Sequence, residues 1–491
     1  MIYSHLFART LESSAVRAAL IGTGHFGTPI VTQAPLIPRL ELSVVADLDV
    51  ETGRGAFLQA GFAEDDIAVC DGRREALRAL ERGKKVVVQD ALELMDLPLD
   101  VIASATRSPE AGALYAREAI QHGKHVVMID KEADSVVGPI LKHLADRAGV
   151  VYTTDDGDQP GLLMGLVAWA RELGLEVICG GNMHGCLYEP GDVDHEATLT
   201  NRARITIPIP EAERWALAPI PAGQAQRFYE TRHRLAAPWR PSQQRGDPIC
   251  HMVVSANGTG LLPDTLAQGS VGYRPIVRLS ELPEVLSLAE DGGILDGPGA
   301  LDIPVVLYSR HEPNVDGGVY IVVANADNRS RAIMIEKGLV VNSRKTAMLI
   351  YRPHHLCGAE TAMSILCAGL LGVPTGSDEL LPLVDMIALA DRDWKAGEWI
   401  GGSKATSGPK NLGYHPGLYS TMVPGFDLAG HSQSRTPVPF FMLEGCRLAA
   451  DVPRGTTMTL DRVERPTDSA LWNLRQQQDE QFVRDVVSES R

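Results

Sequence analysis

Residues 16–27, Val-Arg-Ala-Ala-Leu-Ile-Gly-Thr-Gly-His-Phe-Gly, place a short apolar strand directly before a glycine-rich turn and the start of a helix. In this context Gly22 permits a tight turn, Gly24 lets the backbone approach a pyrophosphate, and Gly27 allows helix and strand to pack closely. The N–H groups at the start of that helix would face the anion. We therefore predict a dinucleotide site in which the whole loop takes part: Gly22, Thr23, Gly24, His25, Phe26 and Gly27.

An acidic residue ends the second predicted strand. Asp47 is placed to accept hydrogen bonds from the adenosine ribose hydroxyls, and its charge would repel a 2′-phosphate. NAD is therefore favoured over NADP, which stays possible because Arg54 would reverse the preference if its guanidinium replaced Asp47 at the ribose. A regulatory nucleotide domain without redox chemistry is the alternative interpretation of the same motif.

Short apolar strands alternate with helices through roughly the first 170 residues, a pattern typical of a parallel sheet covered by helices on both faces. We predict a doubly wound Rossmann domain over residues 1–160, an α+β substrate or oligomerisation domain over 161–380, and a third unit over 381–491. The predicted strands are 16–21, 42–46, 86–89, 101–103, 125–129 and 150–153, the helices between them include 73–82, 109–122 and 138–148, and a further strand is predicted at 251–255.

Bulk properties exclude several classes of protein. The 491 residues include 62 acidic and 46 basic side chains, for a formal net charge of −16, and a field of this sign repels nucleic acid. The seven cysteines contain no CxxC pair, which argues against a disulfide scaffold. No export segment and no apolar stretch long enough for a membrane is recognisable. We expect a cytoplasmic protein without nucleic-acid or membrane partners.

Small residues end the fourth strand of the predicted sheet. Ser104, Ala105 and Thr106 follow Val101–Ala103 at the edge where a nicotinamide ribose would lie. We predict that they contact the cofactor. The alternative is that small residues here serve only the packing of strand and helix.

Three charged residues follow the strand 125–129, at the ligand-binding edge of the sheet. Hydride transfer to or from a carbonyl needs a proton donor or acceptor at the oxygen, and a partly desolvated lysine suits that task. Lys131 is therefore the predicted general acid or base, with Glu132 as a neighbouring catalytic candidate. Alternatively, Lys131 forms a surface ion pair with Asp130 or Glu132.

A second acidic segment, residues 155–160, follows the next strand. Asp155, Asp156 and Asp158 offer carboxylates for substrate hydroxyls, for an ammonium group or for a divalent cation. The same residues also suit a turn followed by a helix cap. We favour the site, because this segment should face the same cleft as Lys131.

Cationic donors gather in a later segment. Arg352 and His355 suit a substrate carboxylate or phosphate, and His184 is a further substrate-binding candidate. His354, His355 and Cys357 also suggest a metal, but adjacent histidines on a strand point to opposite faces. We therefore predict no metal ligands here.

Four motifs together resemble the homoserine-dehydrogenase-like family, in the branch with a C-terminal SAF domain. They are the glycine loop, residues 123–134, residues 157–160 and residues 351–356. The branch contains a deoxyxylulose-phosphate reductoisomerase-like enzyme, from which Asp47 and the pair Asp130-Lys131 depart. The resemblance implies that two similar segments, 390–398 and 449–456, belong to a small β-rich SAF-like module. In related dehydrogenases a lysine at the corresponding strand end handles the proton.

The sequence therefore predicts an NAD-dependent dehydrogenase or reductase of a small polar oxo or hydroxy compound, such as a hydroxy acid, a polyol or a sugar derivative. One alternative is a reductoisomerase that acts on a sugar phosphate with a divalent cation. Another is a non-catalytic NAD-binding sensor or scaffold. A homo-oligomer is expected, since symmetric assembly is common among such enzymes.

Overall fold

The computed structural model of the protein describes residues 2–10, 15–191, 196–201, 204–239, 247–264, 274–401, 417–425 and 436–489. The strands are β1 (Val16–Ile21), β2 (Leu40–Ala46), β3 (Ile67–Val69), β4 (Lys85–Val88), β5 (Val101–Ser104), β6 (His125–Met128), β7 (Tyr152–Thr154), β8 (Glu176–Asn182), β9 (His184–Glu189), β10 (Thr198–Asn201), β11 (Thr206–Pro208), β12 (Arg274–Arg278), β13 (Ala300–Leu301), β14 (Pro304–Tyr308), β15 (Val319–Ala324), β16 (Met348–Arg352), β17 (Val384–Ala390) and β18 (Leu418–Pro424). The helices are α1 (Ile2–Ala8), α2 (Gly27–Gln33), α3 (Val50–Gln59), α4 (Arg73–Glu81), α5 (Pro109–Gln121), α6 (Lys131–Ala148), α7 (Gln159–Glu172), α8 (Ala225–Leu235), α9 (Asp247–Thr259), α10 (Leu282–Val285), α11 (Asn328–Glu336), α12 (Thr361–Leu366) and α13 (Ala470–Glu489).

The N-terminal part is a seven-stranded parallel sheet in the order β3-β4-β2-β1-β5-β6-β7. The strands are apolar and buried, as expected for a sheet with helices on both faces. The chain adds strands on one side of β1 and then returns to add β5 on the other. A crevice forms at this reversal, outside the carboxyl ends of the strands, where α/β proteins bind ligands. The predicted doubly wound fold is confirmed.

Helix α6 is longer than the sequence pattern indicated. It begins at Lys131, seven positions before the predicted start at Gly138, and Pro139 lies within it. The pair Gly138-Pro139 indicated a helix start, but the first turn contains Glu132 and Asp134, and negative charge is favourable at a helix N-terminus.

The C-terminal helix explains how α6 accommodates its internal proline. Proline in a helix disrupts the backbone hydrogen bonds around it. The side chain of Gln478, on α13, accepts a hydrogen bond from Ile140 N at 3.1 Å and donates one to Val136 O at 3.1 Å. Ile140 N and Val136 O are four residues apart, the spacing of a helical hydrogen bond, and both lie in the turn that Pro139 disrupts. The buried side-chain amide of Gln478 takes the place of that hydrogen bond. Helix α13 thus packs directly on the N-terminal sheet domain.

Two mixed sheets form the middle of the molecule, in the orders β11-β10-β9-β14-β12 and β13-β8-β15-β16. The prediction of a strand at 251–255 is wrong, because these residues belong to helix α9. The β-branched run Val253-Val254 suggested a strand, but the segment packs against α6 and α7 and is largely buried. A helix that is buried on most sides loses its amphipathic period, so its sequence resembles a buried strand.

The similar segments 390–398 and 449–456 pack together: Trp394 and Val452 exchange backbone hydrogen bonds of 2.9 and 3.0 Å. Strands β17 and β18 form an antiparallel pair beside them. None of the seven cysteines, all within the described residues, forms a disulfide. In the same part of the chain, no helix has both the length and the apolar character of a membrane span.

Candidate active site

The three glycines of the first loop have different surroundings. Gly22 has φ +90°, and a Cβ there would lie 2.4 Å from the carbonyl oxygen of Ala105. A Cβ on Gly27 would lie 2.0 Å from the carbonyl oxygen of Gly22, whereas one on Gly24 would meet no atom within 4 Å. Gly22 and Gly27 are therefore required by the fold, and Gly24 leaves its backbone open. This combination fits the close approach of a dinucleotide pyrophosphate.

Asp47 lies against this loop. Its Oδ2 accepts hydrogen bonds from Thr23 N at 2.8 Å and Thr23 Oγ1 at 2.6 Å, and its Oδ1 accepts one from Asp49 N at 3.0 Å. Arg54 instead pairs with two glutamates, Glu51 and Glu64, each at 3.3 Å. Asp47 is thus held against the glycine loop, its role in ribose recognition stays a prediction, and the charge of Arg54 is compensated elsewhere. His25 is exposed and Phe26 is half-buried.

The hydroxyls at the end of β5 face a carboxylate. Ser104 Oγ and Thr106 Oγ1 donate to Asp130 Oδ2 at 2.5 and 3.1 Å, and Arg107 N donates to Oδ1 at 2.6 Å. Burial raises the pKa of Asp130, and these three donors oppose that rise. The two hydroxyls therefore bind the buried carboxyl group of Asp130, and their contact with the cofactor stays a prediction. Ala105, between them, packs its carbonyl oxygen against Gly22.

Residues from three separate helices meet at one carboxylate oxygen. Lys131, the first residue of α6, places Nζ 3.4 Å from Asp158 Oδ2, and His251 of α9 places Nε2 3.5 Å from the same atom. The other oxygen of Asp158 accepts a hydrogen bond of 2.8 Å from Gln159 N, at the start of α7. Asp158 is therefore both the cap of α7 and the common neighbour of two basic side chains. Of the two alternatives that the sequence left open, the cap is observed for Asp158, and its role in a site stays a prediction.

The electrostatic environment keeps Asp158 ionised. Burial opposes its negative charge, but the nearby Lys131, His251 and His355 hold its pKa well below the usual value. The Lys131 side chain keeps 24% of its surface exposed, so it is open to a ligand. Glu132, next along α6, is buried and does not replace Lys131 at the cleft surface.

The other two aspartates of the acidic segment have different partners. Asp155 is fully buried, and its Oδ2 accepts a hydrogen bond of 3.0 Å from Thr361 Oγ1. Burial raises the pKa of Asp155 to about 8. Burial, together with the charge of Glu360, raises the pKa of Asp156 to about 6. Among the described residues no three His, Cys, Asp or Glu side chains are arranged to hold a metal ion, so this segment does not form a preassembled cation site there.

The predicted cationic donors lie near the acidic segment: Arg352 lowers the pKa of Asp156 and His355 lowers that of Asp158. Arg352 forms an ion pair with Glu360, so its charge is compensated. His355 Nδ1 lies 2.6 Å from the carbonyl oxygen of Gly317, while His354 is exposed. The two histidines thus separate as expected for neighbours on an extended segment.

A pair of hydrogen bonds connects α7 to the junction of the two mixed sheets. The carbonyl oxygen of Gly318 accepts from Met183 N at 2.8 Å and from the side chain of Gln159 at 3.0 Å. His184, the first residue of β9, is buried directly after this junction. The structure therefore brings Met183, the residue before His184, to the acceptor that Gln159 also reaches, although the two segments are distant in sequence.

His251 is the site residue that sequence reasoning missed. The β-branched pattern of its segment predicts a strand, not the helix to which His251 belongs. The order Asp247-Pro248 before a long uncharged run is the signal that would have indicated a helix start, because aspartate suits the cap and proline the first turn.

One family model matches the middle part of the chain. Residues 247–361 match the family model described as oxidoreductase DRL, catalytic domain. The match covers under a quarter of the chain and includes His251, Arg352 and His355. The doubly wound sheet and this catalytic-domain match together indicate an enzyme of the oxidoreductase class. No curated protein matches the sequence.

Three solved structures show a distant similarity to parts of the chain. Scyllo-inositol dehydrogenase from Lactobacillus casei is 12% identical, with 35% of this chain and 46% of that chain covered and a TM-score of 0.25. An oxidoreductase from Agrobacterium radiobacter, in complex with NAD+, L-tartaric acid and magnesium, is 14% identical, with 36% and 46% covered and a TM-score of 0.26. A dehydrogenase from Bordetella pertussis, in complex with NADH and UDP-GlcNAcA, is 17% identical, with 36% and 47% covered and a TM-score of 0.24. The chain thus spans about half the length of these proteins, and its fold assignment depends on its own strand order.

Proposed function

We propose that the protein is an NAD-dependent dehydrogenase or reductase of a small polar oxo or hydroxy compound. The observation that carries the proposal is the position of Lys131 and His251, which lie 3.4 and 3.5 Å from one oxygen of Asp158. This cluster follows the carboxyl ends of β6 and β7, at the same edge of the sheet as the glycine loop. When bound, NAD supplies the hydride acceptor or donor.

In this proposal Lys131 transfers the proton at the substrate oxygen. The carboxylate of Asp158 holds the ammonium group and limits its movement, because a charge-assisted contact at this distance is favourable in a partly buried site. His251 faces the same carboxylate and is the second proton-handling group. Asp47 and the open backbone of Gly24 hold the dinucleotide.

The remaining predicted residues are proposed to bind the substrate. Asp155 and Asp156 have raised pKa values, about 8 and about 6, and the neutral Asp155 carboxyl that the higher value favours donates as well as accepts hydrogen bonds. Arg352, His355 and His184 complete the polar lining. A hydroxy acid, a polyol or a sugar derivative fits such a lining.

A second candidate is a reductoisomerase that acts on a sugar phosphate with a divalent cation. It is favoured by three carboxylates within four residues, at 155, 156 and 158. These carboxylates would then be ligands of a cation that binds with the substrate, since oxygen ligands suit Mg²⁺. Dependence of turnover on Mg²⁺ or Mn²⁺ separates this candidate from the first.

We also propose the organisation of the chain: a cofactor domain over 1–160, a substrate or oligomerisation domain over 161–380, and an SAF-like module with its tail over 381–491, as in the homoserine-dehydrogenase-like branch. The contact between Gln478 and α6 supports a C-terminal unit that packs on the cofactor domain. A cytoplasmic homo-oligomer is part of the same proposal.

The test is a screen that follows the absorbance of the reduced nicotinamide. It measures NAD reduction with hydroxy acids and polyols, and NADH oxidation with sugar phosphates and with the corresponding oxo compounds, each with Mg²⁺, with Mn²⁺ and with EDTA. Metal-independent reduction by one group of hydroxy compounds supports the dehydrogenase. Turnover of sugar phosphates that EDTA abolishes supports the reductoisomerase. NAD binding without turnover of any compound contradicts both.

A further inference from the structure

The side chain of one buried asparagine is not satisfied within the described residues. Asn182, the last residue of β8, has no exposed surface, yet neither its amide nitrogen nor its oxygen has a hydrogen-bond partner there. Two other buried asparagines differ from it. Asn257 bonds through both atoms to the backbone of Val384, and Asn342 bonds to the turn that follows it. An unsatisfied buried amide is costly, so it indicates a group that binds there.

The strand register places this side chain on the face of the sheet beneath α7. Asn182 lies opposite Val319 of β15 in an antiparallel pair, and opposite residues share a face. Val319 belongs to the same buried hydrophobic core as residues of α7. Met183 N, the next backbone group, bonds to the carbonyl oxygen that the side chain of Gln159 also reaches. Asn182 is therefore one residue away from the backbone group that shares a hydrogen-bond acceptor with Gln159, the first residue of α7.

The chemistry of a carboxamide restricts the ligand. Its nitrogen donates two hydrogen bonds and its oxygen accepts them. A carboxylate or phosphate only accepts, so it would satisfy the nitrogen and be repelled by the oxygen. A hydroxyl group both donates and accepts, and it satisfies either atom.

We propose that Asn182 is a substrate-binding residue that recognises a neutral hydroxyl group, and that the substrate is a polyol or a sugar derivative rather than a compound with a carboxylate or phosphate at that position. This inference rests on the function proposed above and specifies its substrate class.

The first test compares two buried asparagines in the ligand-free protein. N182L replaces an unsatisfied amide by an apolar group of similar size, so the melting temperature should stay the same or rise. N257L, the matched control, removes an amide that is bonded to Val384 and should lower the melting temperature by a few degrees. Equal losses in N182L and N257L would assign Asn182 a purely structural role and overturn the inference.

The second test measures binding in the presence of NAD, with myo-inositol and sorbitol as hydroxyl probes and with tartrate and ribose 5-phosphate as anionic ones. The wild type should bind at least one polyol, and N182L should bind it about 10- to 100-fold more weakly with unchanged NAD affinity. N182D, which keeps the shape and loses the donor, should fall in between. The inference is overturned if the wild type binds neither polyol or if N182L binds it equally well. Binding of a polyol that produces no NADH would instead contradict the proposed dehydrogenase activity and leave the role of Asn182 supported.

Discussion

Lys131 Nζ and Asp158 Oδ2 lie 3.4 Å apart, although 27 positions separate the two residues in sequence. The first begins α6 and the second caps α7, so the two helix starts converge at the carboxyl edge of the sheet. His251 approaches the same oxygen from α9. The relationship places a cation, a carboxylate and an imidazole next to the predicted cofactor loop, and it leads directly to the tests of catalysis below.

Substitution of Lys131 by methionine should lower kcat by about 10²- to 10⁴-fold, the usual contribution of a general acid or base. NAD affinity should stay unchanged, because the glycine loop and Asp47 bind the dinucleotide. Steady-state rates and calorimetric titration with NAD provide the two measurements. Lys142→Met is the matched control: Lys142 lies on the same helix and pairs with Asp146, away from the cleft. Wild-type turnover by the Lys131 variant would assign this lysine to a surface ion pair.

Asp158→Asn tests the carboxylate at the centre of the cluster. Asparagine can still accept the hydrogen bond from Gln159 N, so α7 should stay capped and the protein folded. The negative charge that faces Lys131 and His251 is lost. We expect kcat to fall and the pH profile of kcat to move, because the two basic groups lose their common counter-charge. An unchanged pH profile would show that Asp158 acts only as a cap.

Alanine substitutions at two glycines should have opposite effects. Gly27→Ala brings a Cβ to 2.0 Å from the carbonyl oxygen of Gly22, so it should destabilise the protein or prevent folding. Gly24→Ala meets no protein atom within 4 Å, so its melting temperature should match the wild type while NAD affinity falls. Thermal unfolding and NAD titration of the two variants check this. Full NAD affinity in Gly24→Ala would place the pyrophosphate elsewhere.

Asp47→Ser should weaken NAD binding and allow NADP to bind more tightly than it does to the wild type. The substitution removes the acceptor for the ribose hydroxyls and the charge that repels a 2′-phosphate. Dissociation constants for both cofactors provide the measurement. Asp49→Ser is the control, because Asp49 caps α3 and serine suits a cap. A wild type that prefers NADP would contradict the role of Asp47.

Asp155 should make stability depend on pH in a defined direction. Burial raises its pKa from 3.8 to about 8, so between these values the folded protein holds a proton that the unfolded chain releases. Its contribution to stability is therefore complete below about pH 4 and is lost as the pH rises towards 8. Asp155→Asn removes this titration, so the melting temperature of the variant relative to the wild type should increase from about pH 6 to about pH 9. In Asp156→Asn the corresponding change should end near pH 6. A difference that does not vary with pH would show that Asp155 is ionised in the folded protein.

Local sequence was sufficient to predict the cofactor half of the molecule. The roles of Gly22 and Gly27 depend on the strand and helix directly beside them, so the order strand, glycine turn and helix already implies the close contacts that the structure shows. The alternation of apolar strands with helices likewise determined a parallel sheet, because short strands buried on both faces need crossover helices. Lys131 and Asp158 were both found in this way, since each follows a strand at the same edge.

Only the tertiary structure decided which groups face one another. Sequence placed Ser104 and Thr106 at the cofactor edge of the sheet, and only the structure shows that their hydroxyls donate to the buried carboxyl group of Asp130. His251 joined the cluster because its segment is a helix held between α6 and α7, whereas its local pattern favours a strand. The physical reason is the same in both cases: the free energy of a buried charge or of a buried helix depends on partners that are distant in sequence, and local spacing carries no information about them.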